Sequence, residues 1–296
     1  MNITKSNRYY SISFTILIVV LGFSGTLRAG EYIHIKDDLV IYYEEAGSGS
    51  PIVFIPGGTS TSWFFTSQLM HFSRDYRAIA YDPRNNGRSS KTKSGNSRFL
   101  LGHDLKAFLD ALSLKDVILV GWSSGCFQGY DYFRAYGTEN TKAFICIDSA
   151  PKPIPSFDDD WASVNSPRDI RLRYDGLAID PVKTSRNFIQ SMVTRQMTGE
   201  ELDEIIEELM KKPVEISRYH MLEWLIDDIS EDIKAIDGKI PVLFVMAEPG
   251  FETAKAWLAE HAPHTQIDGG FGLHMMFWEF PDRFNAIVDD FLSDIE

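Results

Sequence analysis

The sequence predicts an α/β protein: a mostly parallel central sheet flanked by helices, with a helical lid inserted before its last strands. Three observations predict this. Short apolar runs bounded by Gly, Pro or Asp recur along the chain, and helical patterns separate them. Between about 151 and 237 the strand signals stop while acidic, helical patterns continue.

Taken in order, the first residues read as an address. Lys5 and Arg8 precede an apolar run at 11–23, and the small residues Ser24, Gly25 and Ala29 follow it. Segment 1–29 is therefore expected to be a signal peptide or, because Leu27 before Ala29 makes a poor cleavage site, an N-terminal anchor. The run is short for a membrane span, and membrane contact is expected only if the leader is retained. Either way the body is expected to be exported, periplasmic or secreted.

Residues 32–35 and 39–44 alternate in polarity like a hairpin, closed by Gly47-Ser48-Gly49-Ser50-Pro51. Buried parallel strands are expected at 52–55, 77–81, 117–120, 143–147 and 242–246, with a further candidate at 265–267, and chemistry at their carboxyl ends. Leu105, Phe108, Leu109 and Leu112 share one helical face, as do Phe284, Ile287, Val288, Phe291 and Leu292. The expected organisation is a core of 30–150 and 238–296 interrupted by a lid of 151–237. Within the lid, 200–212 carries Leu202, Ile205, Ile206 and Leu209 on one side, acids early, and Lys211 and Lys212 at the end; its charges read as a solvated face.

The chain has 296 residues, enough to bury a full core, and its net charge of -13 argues against nucleic acid as a partner. No internal repeat stands out. Cys126 and Cys146 are too few for a disulfide scaffold; export would permit one bridge, but two buried thiols are the simpler expectation. The sequence shows no metal-ligand cluster, no phosphate-binding glycine loop and no dinucleotide fingerprint, so neither metal nor cofactor is expected.

The sharpest motif is Gly121-Trp122-Ser123-Ser124-Gly125, which follows an apolar strand and opens a helical stretch. A nucleophile elbow needs that context, with glycines two before and two after the serine to avoid clash in the tight turn. Three further blocks flank it: Phe54-Ile55-Pro56-Gly57-Gly58-Thr59, Tyr81-Asp82-Pro83-Arg84-Asn85-Asn86-Gly87-Arg88-Ser89 and Gly272-Leu273-His274. Four blocks in this order resemble the α/β-hydrolase fold family from about residue 32 to the end, the lid being more divergent. The resemblance implies Ser123 as nucleophile, His274 as general base, and the amides of Gly58 and Ser124 as the oxyanion hole. Pro56 replaces the family's usual histidine. His34, His71, His103, His220, His261 and His264 read as surface or local hydrogen-bonding residues.

For the triad acid two positions compete. Most of the family places it after the penultimate strand, where this chain reads Ala247-Glu248-Pro249-Gly250; a branch that includes many haloalkane dehalogenases places it at Asp148, after Ile147. The resemblance favours Asp148, with Glu248 or Glu252 as the alternatives. Dehalogenation itself is not implied: Ser123 stands at the nucleophile, Ser124 where a halide-binding tryptophan is expected, and Gly58 where that branch carries asparagine. Asp82, Arg84 and Asn86 are expected to brace the oxyanion loop, and Trp63, Phe64, Phe65, Trp122, Phe127 and Trp224 to line an acyl pocket or pack in the core.

The implied function is hydrolysis of a small or medium carboxylic ester or lactone through an acyl-enzyme. The alternatives are a cofactor-free haloperoxidase or perhydrolase using the same triad, and a non-catalytic binding protein on this fold.

Overall fold

In the computed structural model of the chain, residues 30–36, 39–155, 161–163 and 166–295 are described. Segment 1–29, expected to be a leader or anchor, lies outside them. Among the described residues no helix is long and apolar enough to cross a membrane.

The strands are β1 (Glu31–Lys36), β2 (Leu39–Gly47), β3 (Pro51–Ile55), β4 (Arg77–Tyr81), β5 (Val117–Trp122), β6 (Thr141–Ile147), β7 (Val242–Met246) and β8 (Gln266–Gly269). They form one eight-stranded sheet in the order β1-β2-β4-β3-β5-β6-β7-β8. Pairing is antiparallel for β1 with β2 and β2 with β4, and parallel from β4 to β8. The apolar runs of the sequence coincide with β3 to β7 because each of these five strands is buried on both faces. In β3, Ile52 and Phe54 enter one core cluster while Val53 and Ile55 enter the other; in β6, Ile145 and Ile147 part from Phe144 and Cys146 in the same way.

The helices are α1 (Thr66–Phe72), α2 (Leu101–Ala111), α3 (Ser124–Tyr136), α4 (Pro167–Ile179), α5 (Pro181–Gln190), α6 (Gly199–Leu209), α7 (Val214–Trp224), α8 (Ser230–Ile236), α9 (Phe251–His261), α10 (Met276–Glu279) and α11 (Pro281–Ser293). Side chains of α1, α10 and α11 pack on one face of the sheet. Those of α2, α3, α8 and α9 pack on the other. Helices α4 to α8 all lie between β6 and β7 in the chain. Of these, α8 inserts Ile233 and Ile236 into the same cluster as α3, while α5 and α6 contribute Ile189, Ile205, Ile206 and Leu209 to the opposite cluster. Their starts are locally encoded: Asp180 caps α5 ahead of Pro181, and Thr198 with Glu201 forms a reciprocal capping box on α6.

Two sequence expectations are corrected. Cys126 on α3 and Cys146 on β6 are not free thiols but form a disulfide, with Cα atoms 5.4 Å apart and both residues fully buried. Both side chains leave their elements on the same side of the sheet, which the sequence spacing alone does not reveal. The charged run 200–212 is also not one solvated face. Asp203, Glu204 and Glu207 face solvent, but Glu208 is buried and Lys212, past the end of α6, is only 2% exposed.

Candidate active site

The turn from β5 into α3 holds Ser123 at φ 55° and ψ -121°, a conformation that costs an ordinary residue energy and persists only when its surroundings fix it. The surroundings are backbone. A Cβ at Gly121 would approach the Gly125 carbonyl at 2.7 Å, and one at Gly125 would meet the Ile55 oxygen at 2.2 Å. The Ser123 amide donates to the Ile147 carbonyl across to β6 at 2.9 Å. Ser123 is thus pushed out of the carboxyl edge of the sheet, half-buried on the wall of a cavity of about 1660 Å³.

His274 and Asp148 line the same cavity. His274 Nδ1 and Asp148 Oδ2 are 2.6 Å apart, while Asp148 Oδ1 accepts the Ala247 amide at 2.9 Å. Asp148 directly follows β6 at φ 43° and donates its own amide to the Val245 carbonyl at 2.9 Å, so both its side chain and backbone are tied to β7. The indole of Trp122 donates to the His274 carbonyl at 2.9 Å and fixes the histidine loop beside the elbow. Among the described residues no hydrogen bond joins Ser123 Oγ to His274. Glu248 is exposed in the short 3-10 turn Glu248–Gly250, and among the described residues it is Asp148, not Glu248, that bonds to His274.

The loop after β3 approaches Ser123 closely: a Cβ at Gly57 would lie 3.0 Å from the Ser123 Cβ and 2.9 Å from the Trp122 oxygen. Gly58, at φ 37°, faces open space. Its amide donates to the Ser124 hydroxyl, so the donor expected to hold an oxyanion is engaged by a rotatable side chain. The Ser124 amide is the first of α3, where backbone N–H groups have no intrahelical acceptor and the helix dipole favours negative charge.

Of the three residues expected to brace the loop after β3, Asn86 bonds it, Asp82 ties down the residue that follows it, and Arg84 instead pairs with α2. Asp82 accepts the amides of Ser62 (2.8 Å) and Arg88 (2.7 Å), and burial pushes its carboxyl up from the usual range while these bonds hold it down. Asn86 Nδ2 donates to the Gly58 carbonyl at 3.1 Å and the Ser60 carbonyl at 2.7 Å. Arg84 forms a bidentate pair with Asp104, both bonds 2.7 Å. Of the aromatic candidates, Trp122, Phe127 and Trp224 line the cavity, whereas Phe64 and Phe65 are core.

Sequence reasoning missed a contact from the inserted helices. Lys212 Nζ donates to the Gly58 carbonyl at 3.1 Å and contacts His220 Nδ1 at 3.0 Å, and Glu208 accepts from the Thr61 hydroxyl at 3.1 Å. The other ring nitrogen of His220 contacts the Asn96 carbonyl at 2.6 Å, which suits a neutral imidazole protonated at Nε2. Burial pulls the Lys212 ammonium down to about 7, with Arg98 and Lys91 adding to the effect. A lysine at a helix end looks like dipole complementarity in sequence; only tertiary packing distinguishes it as buried.

The family described as alpha/beta hydrolase fold matches residues 50–175. A putative non-heme chloroperoxidase of Synechocystis sp. is 27% identical over 271 residues, covering 86% of this chain and 95% of that protein. The bromoperoxidase of Bacillus anthracis superposes with a TM-score of 0.81 at 22% identity, over 90% of this chain and all of the other. An esterase of Exiguobacterium antarcticum gives the same TM-score at 18% identity and the same coverage. At these identities the solved structures speak to fold alone.

Proposed function

We propose that the chain, whose residues 50–175 match the alpha/beta hydrolase fold family, is an exported serine hydrolase of that family cleaving a small or medium carboxylic ester or lactone through an acyl-enzyme. The observation that carries the reading is the His274–Asp148 pair on the wall of the cavity into which the elbow presents Ser123.

In this reading Asp148 holds His274 in the tautomer protonated at Nδ1, leaving Nε2 to take the Ser123 proton. The alkoxide attacks the ester carbonyl; the amides of Gly58 and Ser124 hold the resulting oxyanion, each such donor being worth roughly 10²–10³ in rate. Rotation of the Ser124 hydroxyl releases the Gly58 amide for that role. His274 then protonates the leaving alcohol, and water, activated by the same base, hydrolyses the acyl-enzyme. Within the expected lid of 151–237, helices α4 to α7 serve as the lid while α8 packs in the core, and Lys212 and Glu208 tie the lid to the loop after β3. The buried disulfide and the leader-like pattern of 1–29 support an oxidising, exported location.

Labelling with a fluorophosphonate and peptide mapping tests the nucleophile. The adduct is expected on Ser123 and absent in Ser123→Ala; a wild-type protein that stays unlabelled contradicts the reading and favours a non-catalytic binding protein. The peroxidase names among the similar proteins support a second reading, in which hydrogen peroxide replaces water and an acetyl-enzyme yields peracetic acid. Peracid formation from acetate and peroxide, outpacing ester hydrolysis, would favour it.

A further inference from the structure

Three cationic side chains line the cavity: Arg98, Lys212 and Arg173. Two of them have partners in the fold. Arg98 pairs with the carboxylate of Asp227, and Lys212 bonds the Gly58 carbonyl and His220. Arg173, on α4, differs: among the described residues no carboxylate, carbonyl or hydroxyl accepts from its guanidinium. The group lies over the ring of Phe188 on α5, which orients it by a cation–π contact without using its N–H donors. Asp169, one turn earlier on α4 and also on the cavity wall, forms no ion pair with it, and Asp148 is engaged by His274 and the Ala247 amide. Burial pulls the Arg173 guanidinium down to about 9, and no neighbouring charge offsets that effect, yet it remains cationic at neutral pH.

A half-buried guanidinium with neither acceptor nor counter-charge among the described residues keeps its N–H donors free, and a planar fork of such donors matches a carboxylate in bidentate fashion. The wall beside it is polar: Thr184 and Asn187 of α5 and Ser191, which caps its end, also line the cavity. Trp122, Phe127, Met192 and Trp224 supply the apolar lining.

We propose that the substrate carries a carboxylate apart from its scissile ester or lactone bond, and that Arg173 binds it. This rests on Ser123 being the reacting centre of the same cavity. The class is a half-ester of a dicarboxylic acid, or a lactone bearing a free acid.

Two matched six-carbon esters test this: mono-4-nitrophenyl adipate, which is anionic, and 4-nitrophenyl hexanoate, which is neutral. Wild type is expected to prefer the adipate half-ester in kcat/KM. That preference is expected to fall about 10- to 100-fold in Arg173→Gln, chiefly through KM, with Arg173→Lys in between. A wild-type protein with no preference, or an unchanged ratio in a folded Arg173→Gln, overturns the proposal and leaves the hydrolase reading standing. Calorimetric titration of Ser123→Ala with monomethyl adipate separates the two ideas: binding lost on adding Arg173→Gln supports the carboxylate site even if neither ester turns over, and no binding to Ser123→Ala overturns it.

Discussion

A methyl group at position 125 would sit 2.2 Å from the Ile55 carbonyl, a backbone atom that cannot turn aside. Gly125→Ala is therefore expected to lose more than about 2 kcal/mol of stability and to abolish fluorophosphonate labelling, as melts and labelling of the purified variant would show. His220 gives a second prediction at this scale. Burial, with the Lys212 ammonium beside it, pulls its imidazole down to about 3, so the folded protein keeps it neutral where the unfolded chain protonates it near 6.5. The stability this provides is full above pH 6.5 and is lost as pH falls toward 3, by about 1.4 kcal/mol per unit. Urea melts at pH 7 and 5 are expected to show a loss roughly 2 kcal/mol smaller in His220→Gln than in wild type. The residues of the elbow and of the histidine loop were legible in sequence because a tight turn restricts which residues can stand there. Lys212 and Arg173 were not legible, since a charge on a helical segment gives no local sign of which way it faces.

At the scale of elements, the short apolar runs marked strands β3 to β7 because burial on both faces removes alternation and leaves only length and flanking breakers as signal. Strand β8 was a weaker candidate, as its pattern is half exposed at the sheet edge. The segment between β6 and β7 was legible as helices but not as a support for the loop after β3, because the contact between Lys212 and Gly58 spans 154 positions. That contact carries a prediction: Lys212→Met is expected to lower kcat about tenfold with a smaller change in KM, since it removes a bond that fixes the Gly58 carbonyl in the loop after β3. An unchanged kcat in steady-state ester hydrolysis would show that Asn86 alone holds the loop.

For the whole molecule, one covalent tie joins α3, behind the elbow, to β6, the strand that Asp148 directly follows. It closes a loop with a sequence separation of 20, so the chain-entropy account assigns it about 3 kcal/mol. The double variant Cys126→Ala, Cys146→Ala is expected to lose that much in denaturant melts while keeping labelling at Ser123. A loss near zero would mean that the pair is not oxidised in the folded protein. Composition indicated a globular chain but not this bridge, because two cysteines 20 positions apart carry no geometry until β5 and β6 are paired.

The central claim is that Ser123 acts with His274 and Asp148, and hydrolysis of 4-nitrophenyl butyrate by wild type, Ser123→Ala, Asp148→Asn and Glu248→Gln tests it most directly. The account predicts loss of activity in Ser123→Ala, a fall of about 10³–10⁴ in kcat for Asp148→Asn, and no more than a few-fold change for Glu248→Gln. Activity that survives in Ser123→Ala, or that falls further in Glu248→Gln than in Asp148→Asn, would contradict it.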